Sequence, residues 1–453
     1  MIPGRQVALL QSFLFGGWMF FANLYSVTVT GQGPDTLLRK EGLFRKDMVA
    51  MIRSIDVGDT DFSDLRELKS AIGNSRIVLL GEQTHGEGST FLAKTRLIKM
   101  LHEQMGFEVL AFESGLYDCA RIWENMQQGG QLSKEAIGSL FYMYATSRQM
   151  LPLFGYIQGE MSGSRPLVLT GFESQHTGRK AITDLFGELA SFLKAGYPEK
   201  GHFGMADSNW SVFRRLSLAM FASRDFRPAE KEKKTFFNEL SLLKGLLREE
   251  RSPVGRLTAS AGFWHQVIGS IESQALRYWQ LTTSNEMAVR DRQMAENLIW
   301  LAEKAYPGKK IIVWAHNVHI ARSVPWSERP LKPMAGDADV FIPMGVTIHD
   351  HFGASAYCIG FSGHDGSYMN YINDTIVTVN PAPANSPEGR LAAAGYQYAF
   401  VNYRLRTGWM EQKQPGGFAD YQWINGIWPD IFDGLLYIKT AFPVDRIENR
   451  AGN

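Results

Sequence analysis

The chain has 453 residues, 45% of them hydrophobic, which is enough apolar material for a substantial core and excludes disorder as its theme. Its 47 Lys plus Arg against 46 Asp plus Glu give a net charge of +1, so neither nucleic acid nor an anionic membrane finds an electrostatic footprint, and small molecules or other proteins are the expected partners. Two cysteines exclude a disulfide-stapled scaffold and a multi-cysteine metal site, and Cys358, in the run AYCIGF, reads as a buried free thiol.

At the amino terminus Arg5 precedes the apolar stretch VALLQSFLFGGWMFFANLYSVTV, the pattern of a secretory signal, with Val29 and Gly31 placed for a cut that leaves Gln32 first. Export to a periplasmic or extracellular space is therefore expected. The alternatives are an uncleaved membrane anchor, weakened by Gln11, Asn23 and the Gly16-Gly17 pair, or a buried helix of a cytoplasmic protein. The division expected is a leader or anchor over 1–31, an α/β core over 32–178 and 308–453, and a helical cap over 179–307.

Residues 35–73 read as helical, with Ser63 capping DLRELKSAIG. IVLL, residues 77–80, reads as a buried strand ended by a sharp turn at Gly81, after which Glu82, Thr84, His85 and Glu87 lie on a loop. TFLAKTRLIKMLHEQMGF places Phe91, Leu92, Thr95, Ile98, Leu101 and Met105 near one helical face, Gly106 closes the helix, and EVLAFE is the next strand. This is a βαβ unit, so Glu82 and Glu113 emerge at the same rim of a parallel sheet. Helices over Leu116–Gln128 and Lys134–Gln158 follow, and then RPLVLTGFES gives a strand ending in Glu173 with His176 just after it.

From Arg179 to Pro307 helical patterns dominate, PAEKEKKTFFNELSLLKGLLREER being a solvated face with an apolar stripe; such a segment can close over a site. IIVW resumes the sheet and carries His316 and His319 to the rim, with further strands at SAYCIGFS, YQYAFVNYR and GLLYIKTAF. The fold class is α/β: a mainly parallel central sheet flanked by helices, with a helical cap.

No GxSxG elbow, HExxH helix, Walker loop or GxGxxG follows a strand, which disfavours serine hydrolases, zincins and dinucleotide enzymes. A lone histidine is usually structural, and His102, His202 and His265 read so. Glu82, His85, Glu113, His316 and His319 differ, because three separate stretches bring them to one rim, where burial is costly unless they are paired or at work. Two chemistries use such a set. A histidine held by a carboxylate takes a proton from water, or Glu82, His85, His316 and His319 hold a divalent metal that activates the water. These pairs lie on turns rather than helices, which favours the version without a cofactor. A non-catalytic envelope protein binding a ligand in the same cleft is the third reading.

The run GEQTHGEG, the helix LAKTRLIKML, the strand end AFESG, the segment RDRQMAENLIWL and the block IIVWAHNVHIAR, in that order over roughly residues 60–440, resemble the erythromycin esterase family. The resemblance implies a hydrolase of a carboxylic ester, the macrolactone of macrolide antibiotics in members with known activity, and hence a role in antibiotic resistance. It implies His85 as the general base with Glu82 beside it, Glu113 in the same cluster, and His316 and His319 across the cleft as binding or oxyanion-stabilising groups. A basic residue on the following helix belongs to the pattern, and Lys94 and Arg96 are both open for it; Arg290 and Asp291 are further candidates. Glu173 stands where the pattern has an aspartate, one methylene shorter.

Overall fold

The structure is a computed structural model that describes residues 44–45, 47–198, 208–247, 256–282, 285–325, 340–406 and 408–447. The expected leader over 1–31 lies outside them. Among the described residues no helix is long and apolar enough to cross a membrane.

The described residues form eleven strands: β1 (Val49–Met51), β2 (Ile77–Leu80), β3 (Phe107–Gly115), β4 (Val168–Glu173), β5 (Lys310–Trp314), β6 (Ala356–Met369), β7 (Ile376–Val379), β8 (Tyr398–Asn402), β9 (Gln414–Gly417), β10 (Trp423–Gly426) and β11 (Gly434–Ala441). Nine belong to one sheet in the order β1-β8-β11-β6-β2-β5-β3-β4, with β7 beside β6, while β9 and β10 pair as a separate hairpin. From β11 through β4 all neighbours are parallel, whereas β8 runs antiparallel to β11, β1 antiparallel to β8, and β7 antiparallel to β6. The central strands are apolar without alternation because helices cover both faces; every residue of β2 is buried.

This strand order positions the site. From β2 the chain passes over β5 to reach β3, and from β5 it passes over β2 in the opposite direction to reach β6. Adjacent parallel strands whose connections diverge leave a crevice beyond their carboxyl ends, which is where open α/β sheets bind ligands. By that rule the crevice falls between the loop after β2 and the loop after β5.

Between β4 and β5 the described residues are helical, and Glu286–Trp300, which precedes the π turn Leu301–Ala305, delivers its amino-terminal face to the crevice. Helix Gly88–Met105 covers the sheet and ends at Gly106 in the left-handed conformation, φ 74°.

Three expectations are corrected. Of residues 35–73, those described are not one helix: β1 and an irregular stretch precede the 3-10 turn Ser63–Leu65 and helix Arg66–Ile72, and no side chain caps them. Asp56, Asp59 and Asp61 accept from the backbone N–H groups of Gly58, Asp61 and Ser63, closing local turns that compete with helix. The helix expected over Lys134–Gln158 breaks into Leu132–Glu135, Tyr142–Ala145, Arg148–Met150 and Leu151–Glu160. Gly138 is left-handed at φ 75°, and Pro152 opens the last helix. Gly81 keeps a negative φ; its lack of a Cβ is required instead by close approach, since a Cβ there would run into Asn317 Oδ1.

Candidate active site

Glu82, fully buried at the end of β2, is held by four donors. Its Oε1 accepts from His85 Nδ1 at 2.6 Å and from the Tyr144 hydroxyl at 2.7 Å, and its Oε2 from Lys94 Nζ at 2.9 Å and Trp314 Nε1 at 2.8 Å. Burial pushes this carboxyl up, but Lys94 and His85 outweigh it and hold Glu82 below the usual range, hence ionised. Burial lowers Lys94 to about 8 against the pull of Glu82, and its ammonium also lies 4.3 Å from the Trp314 ring.

Lys94 is thus the basic residue that the helix brings to the cluster. Arg96 is not brought there: it donates to Asp64 Oδ1 and Oδ2 and to the Ser54 and Asp61 carbonyls, anchoring the stretch between β1 and helix Arg66–Ile72. Two positions along a helix turn the side chain through about 200°, so only one of the pair can face the rim.

His85 differs from its neighbours in exposure and in what it leaves free. Its side chain is 12% exposed, against 0% for Glu82 and 4% for Glu113 and His319. With Nδ1 spent on Glu82, Nε2 has no protein partner among the described residues. The ring is boxed edge-on by Phe141 at 4.9 Å, Tyr371 at 5.0 Å and His316 at 5.1 Å between centroids, so its direction is fixed by packing.

The histidines after β5 are brought to the same rim but are engaged. His316 caps the short turn Asn317–Ile320 by accepting from Val318 N at Nδ1, 3.1 Å, and its Nε2–H donates to the Gln83 carbonyl at 3.0 Å. Burial, reinforced by His85, lowers it to about 3, so the ring is neutral. His319 directs Nδ1 at Asp291, 2.8 Å, and Nε2 at Glu113, 3.2 Å. Burial opposes its protonation, but Asp291 and Glu113 prevail and raise it to about 10, an imidazolium.

Arg290 Nη1 lies 2.8 Å from His319 Nε2, and the carboxylates of Glu113, Glu173 and Asp291 lie around the two. Arg290 bonds Glu173 through Nε at 2.9 Å and through Nη2, and Glu113 through Nη2 at 2.9 Å. Burial would raise Glu113, yet His319, His85 and Arg290 bring it well below its ordinary value; its other oxygen accepts from His316 N at 2.8 Å. Glu173 is likewise lowered, chiefly by Arg290 acting against burial.

Three contributors were not legible in the sequence. Tyr144 lies in a segment that reads as one continuous helix, and Trp314 as the last residue of a strand. Asp420 follows β9 in a turn where Asp420 and Tyr421 both take left-handed φ, 46° and 54°, a conformation rare outside glycine. Asp420 N donates to the Gln83 carbonyl at 2.6 Å and the Tyr421 hydroxyl to Glu87 at 2.7 Å, so the turn clamps the β2 loop. Burial raises the Asp420 carboxyl while Thr84 and His85 pull it back. Glu87 itself faces away from His85, accepting from Ser89, Thr90, Tyr421 and Gln83.

A divalent ion at Glu82, His85, His316 and His319 would need lone pairs that these residues do not offer. Both Glu82 oxygens are occupied, one by an ammonium, His316 Nδ1 caps a turn, and His319 is a cation between carboxylates.

The chain is similar to several known proteins. A Bacillus subtilis protein, YbfO, named a candidate hydrolase, is 27% identical over 412 residues, covering 86% of this chain and 89% of its own. Erythromycin esterase type II of Escherichia coli is 20% identical over 324 residues, 68% of this chain and 74% of its own. Among solved structures, a succinoglycan biosynthesis protein aligns with a TM-score of 0.70 at 20% identity, covering 88% of this chain and 96% of that one. An erythromycin esterase in its open conformation aligns at 0.64 and 17%, covering 88% and 99%. The erythromycin esterase family profile matches residues 102–441, a span that holds Glu113, Glu173, Arg290, His316 and His319 and begins after the β2 loop. With three-quarters of its length inside that profile, the chain belongs to the erythromycin esterase family.

Proposed function

We propose that this protein hydrolyses a carboxylic ester with water activated by His85. The observation that carries the reading is the pairing of His85 Nδ1 with the buried Glu82 carboxylate at 2.6 Å, which leaves Nε2 open, whereas both ring nitrogens of His316 and of His319 are engaged. Nε2 accepts a proton from water as the water oxygen bonds to the ester carbonyl carbon. Glu82 stabilises the imidazolium so formed, and Nε2 returns the proton to the departing alkoxide as the acyl C–O bond breaks. His316, neutral at about 3, adds no competing charge beside His85. Arg290 and His319 lie beyond the His316 ring, where their bonds to Glu113, Glu173 and Asp291 hold that side of the rim in place.

The engagement of His316 and His319 favours water activated by imidazole over metal-bound water. A panel of macrolides, aryl esters and acylated sugars, assayed with and without a chelator, tests the reading. Turnover of at least one class by the wild-type protein, unaffected by chelation and abolished in H85N, is expected. Unchanged turnover in H85N, or loss on chelation restored by added zinc, overturns it. Hydrolysis of macrolides in particular would extend the resemblance to antibiotic inactivation.

A further inference from the structure

Outside the Glu82–His85 centre, the carboxyl end of β4 carries buried polar groups that the chemistry above does not use. Arg277 is 5% exposed, and among the described residues its only hydrogen bond is from Nε to the Ser273 carbonyl one turn back, at 3.3 Å. No carboxylate among the described residues lies within 4.0 Å of it, and Nη2 has no partner. Gln274, one turn away on the same helix Ala261–Tyr278, accepts at Oε1 from His176 N at 3.0 Å but leaves its Nε2 unpartnered. His176, fully buried and stacked on Phe221 at 5.2 Å, has no well-formed ring hydrogen bond among the described residues, although the Ser174 backbone lies beside it.

These residues adjoin one another: the backbone N–H of His176 donates to Gln274 Oε1, and Arg277, three positions on, shares the helical face of Gln274. Next to Arg277, Tyr278 donates through its hydroxyl to Gln175 Oε1 at 3.0 Å, and Gln175 N donates to Glu173 Oε1 at 3.0 Å, so the group adjoins the Glu173–Arg290 pair of the active site. A buried guanidinium with a free N–H, beside a free amide N–H and an imidazole without a well-formed ring bond, is expensive unless an acceptor completes it. Ordered water can satisfy the dipoles, but the carboxylate that acts on the Arg277 cation, Glu173, is already bonded to Arg290, and the other neighbour of the guanidinium is the Tyr278 ring at 5.4 Å.

We propose that Arg277, Gln274 and His176 form a subsite for an anionic oxygen group, such as a carboxylate, borne by the ester that His85 attacks. This rests on the hydrolase reading for its link to turnover, but not for binding. The macrolide class lacks such a group, so the subsite separates this chain's preferred ester from that class.

The test uses two 4-nitrophenyl esters of equal acyl length, the neutral butyrate and the hemisuccinate, together with succinate as a ligand for H85A. Wild-type protein is expected to favour the hemisuccinate in kcat/KM by at least tenfold. R277Q should collapse that ratio through KM, and R277K should retain part of it. Succinate should raise the Tm of H85A saturably, and not that of H85A carrying R277Q. Because R277Q can fail to fold, Gln274→Leu, which keeps the charge, is measured in parallel and should reduce the ratio less. An Arg277-dependent Tm shift with neither ester hydrolysed would leave the subsite standing and remove the hydrolase reading. An ester ratio indifferent to R277Q and Q274L, with no Tm shift, would mean that water alone occupies the group and would overturn the subsite.

Discussion

The loops after β2 and β5 lie side by side in the sheet and carry similar spacings, ExxH at Glu82 and His85 and HxxH at His316 and His319, yet they present opposite chemistry. The β2 loop spends one imidazole nitrogen on a buried carboxylate and leaves the other facing out. The β5 loop spends every ring nitrogen, one histidine on backbone groups and the other on two carboxylates. A spacing motif states which groups can meet, and only the surrounding donors and acceptors decide which of them is free to react.

The largest effect that tests this contrast is on turnover. H85N should lower kcat on the order of 10²–10⁴-fold with Tm little changed, because the removed nitrogen bonds nothing in the protein; H319N causing an equal loss with an equal Tm would erase the distinction. Next in size is E82Q, which leaves the Lys94 ammonium buried without its carboxylate and should destabilise the fold by roughly 3–5 kcal/mol in denaturant unfolding. Restoration of much of that stability in the double variant E82Q/K94M would identify the stranded charge as the cause.

The two histidines after β5 should titrate in opposite senses. His319, raised from 6.5 to about 10, contributes stability in full below pH 6.5 and loses it as pH rises through 10. His316, lowered from 6.5 to about 3, is penalised as pH falls from 6.5 towards 3, because only the unfolded chain then takes the proton. Each slope is at most about 1.4 kcal/mol per pH unit, so unfolding curves of H319N should be flatter on the alkaline side only. The smallest effect belongs to His316→Asn, which can still accept from Val318 N. It should cost about 1 kcal/mol or less, against a larger loss in His316→Ala, by thermal unfolding.

Much of the sheet was legible because its central strands are buried on both faces: IVLL, EVLAFE, IIVW and GLLYIKTA announce themselves by unbroken apolar runs. The missed strands lack that signal. β9 is QPGG and β10 is WING, whose pairing owes nothing to apolar alternation, and β1 spans three residues at the sheet edge. Glu82, His85, Glu113, His316 and His319 were placed at one rim because parallel topology carries strand ends together. The choice between Lys94 and Arg96 was hidden, since it depends on which helical face meets β2, and Asp420 was hidden because its position comes from a strained turn with no sequence period. The anchoring of Arg96 by Asp59 and Asp64 arises from a segment whose pattern suggested helix.

The four donors on Glu82 have a consequence for the order of bond making. A carboxylate pinned at both oxygens cannot swing out to attack an acyl carbon, so in the proposed hydrolysis no acyl-enzyme forms on Glu82 and water attacks the ester directly. A single turnover in oxygen-18 water should therefore place the isotope in the released acid from the first cycle, with none retained on the polypeptide.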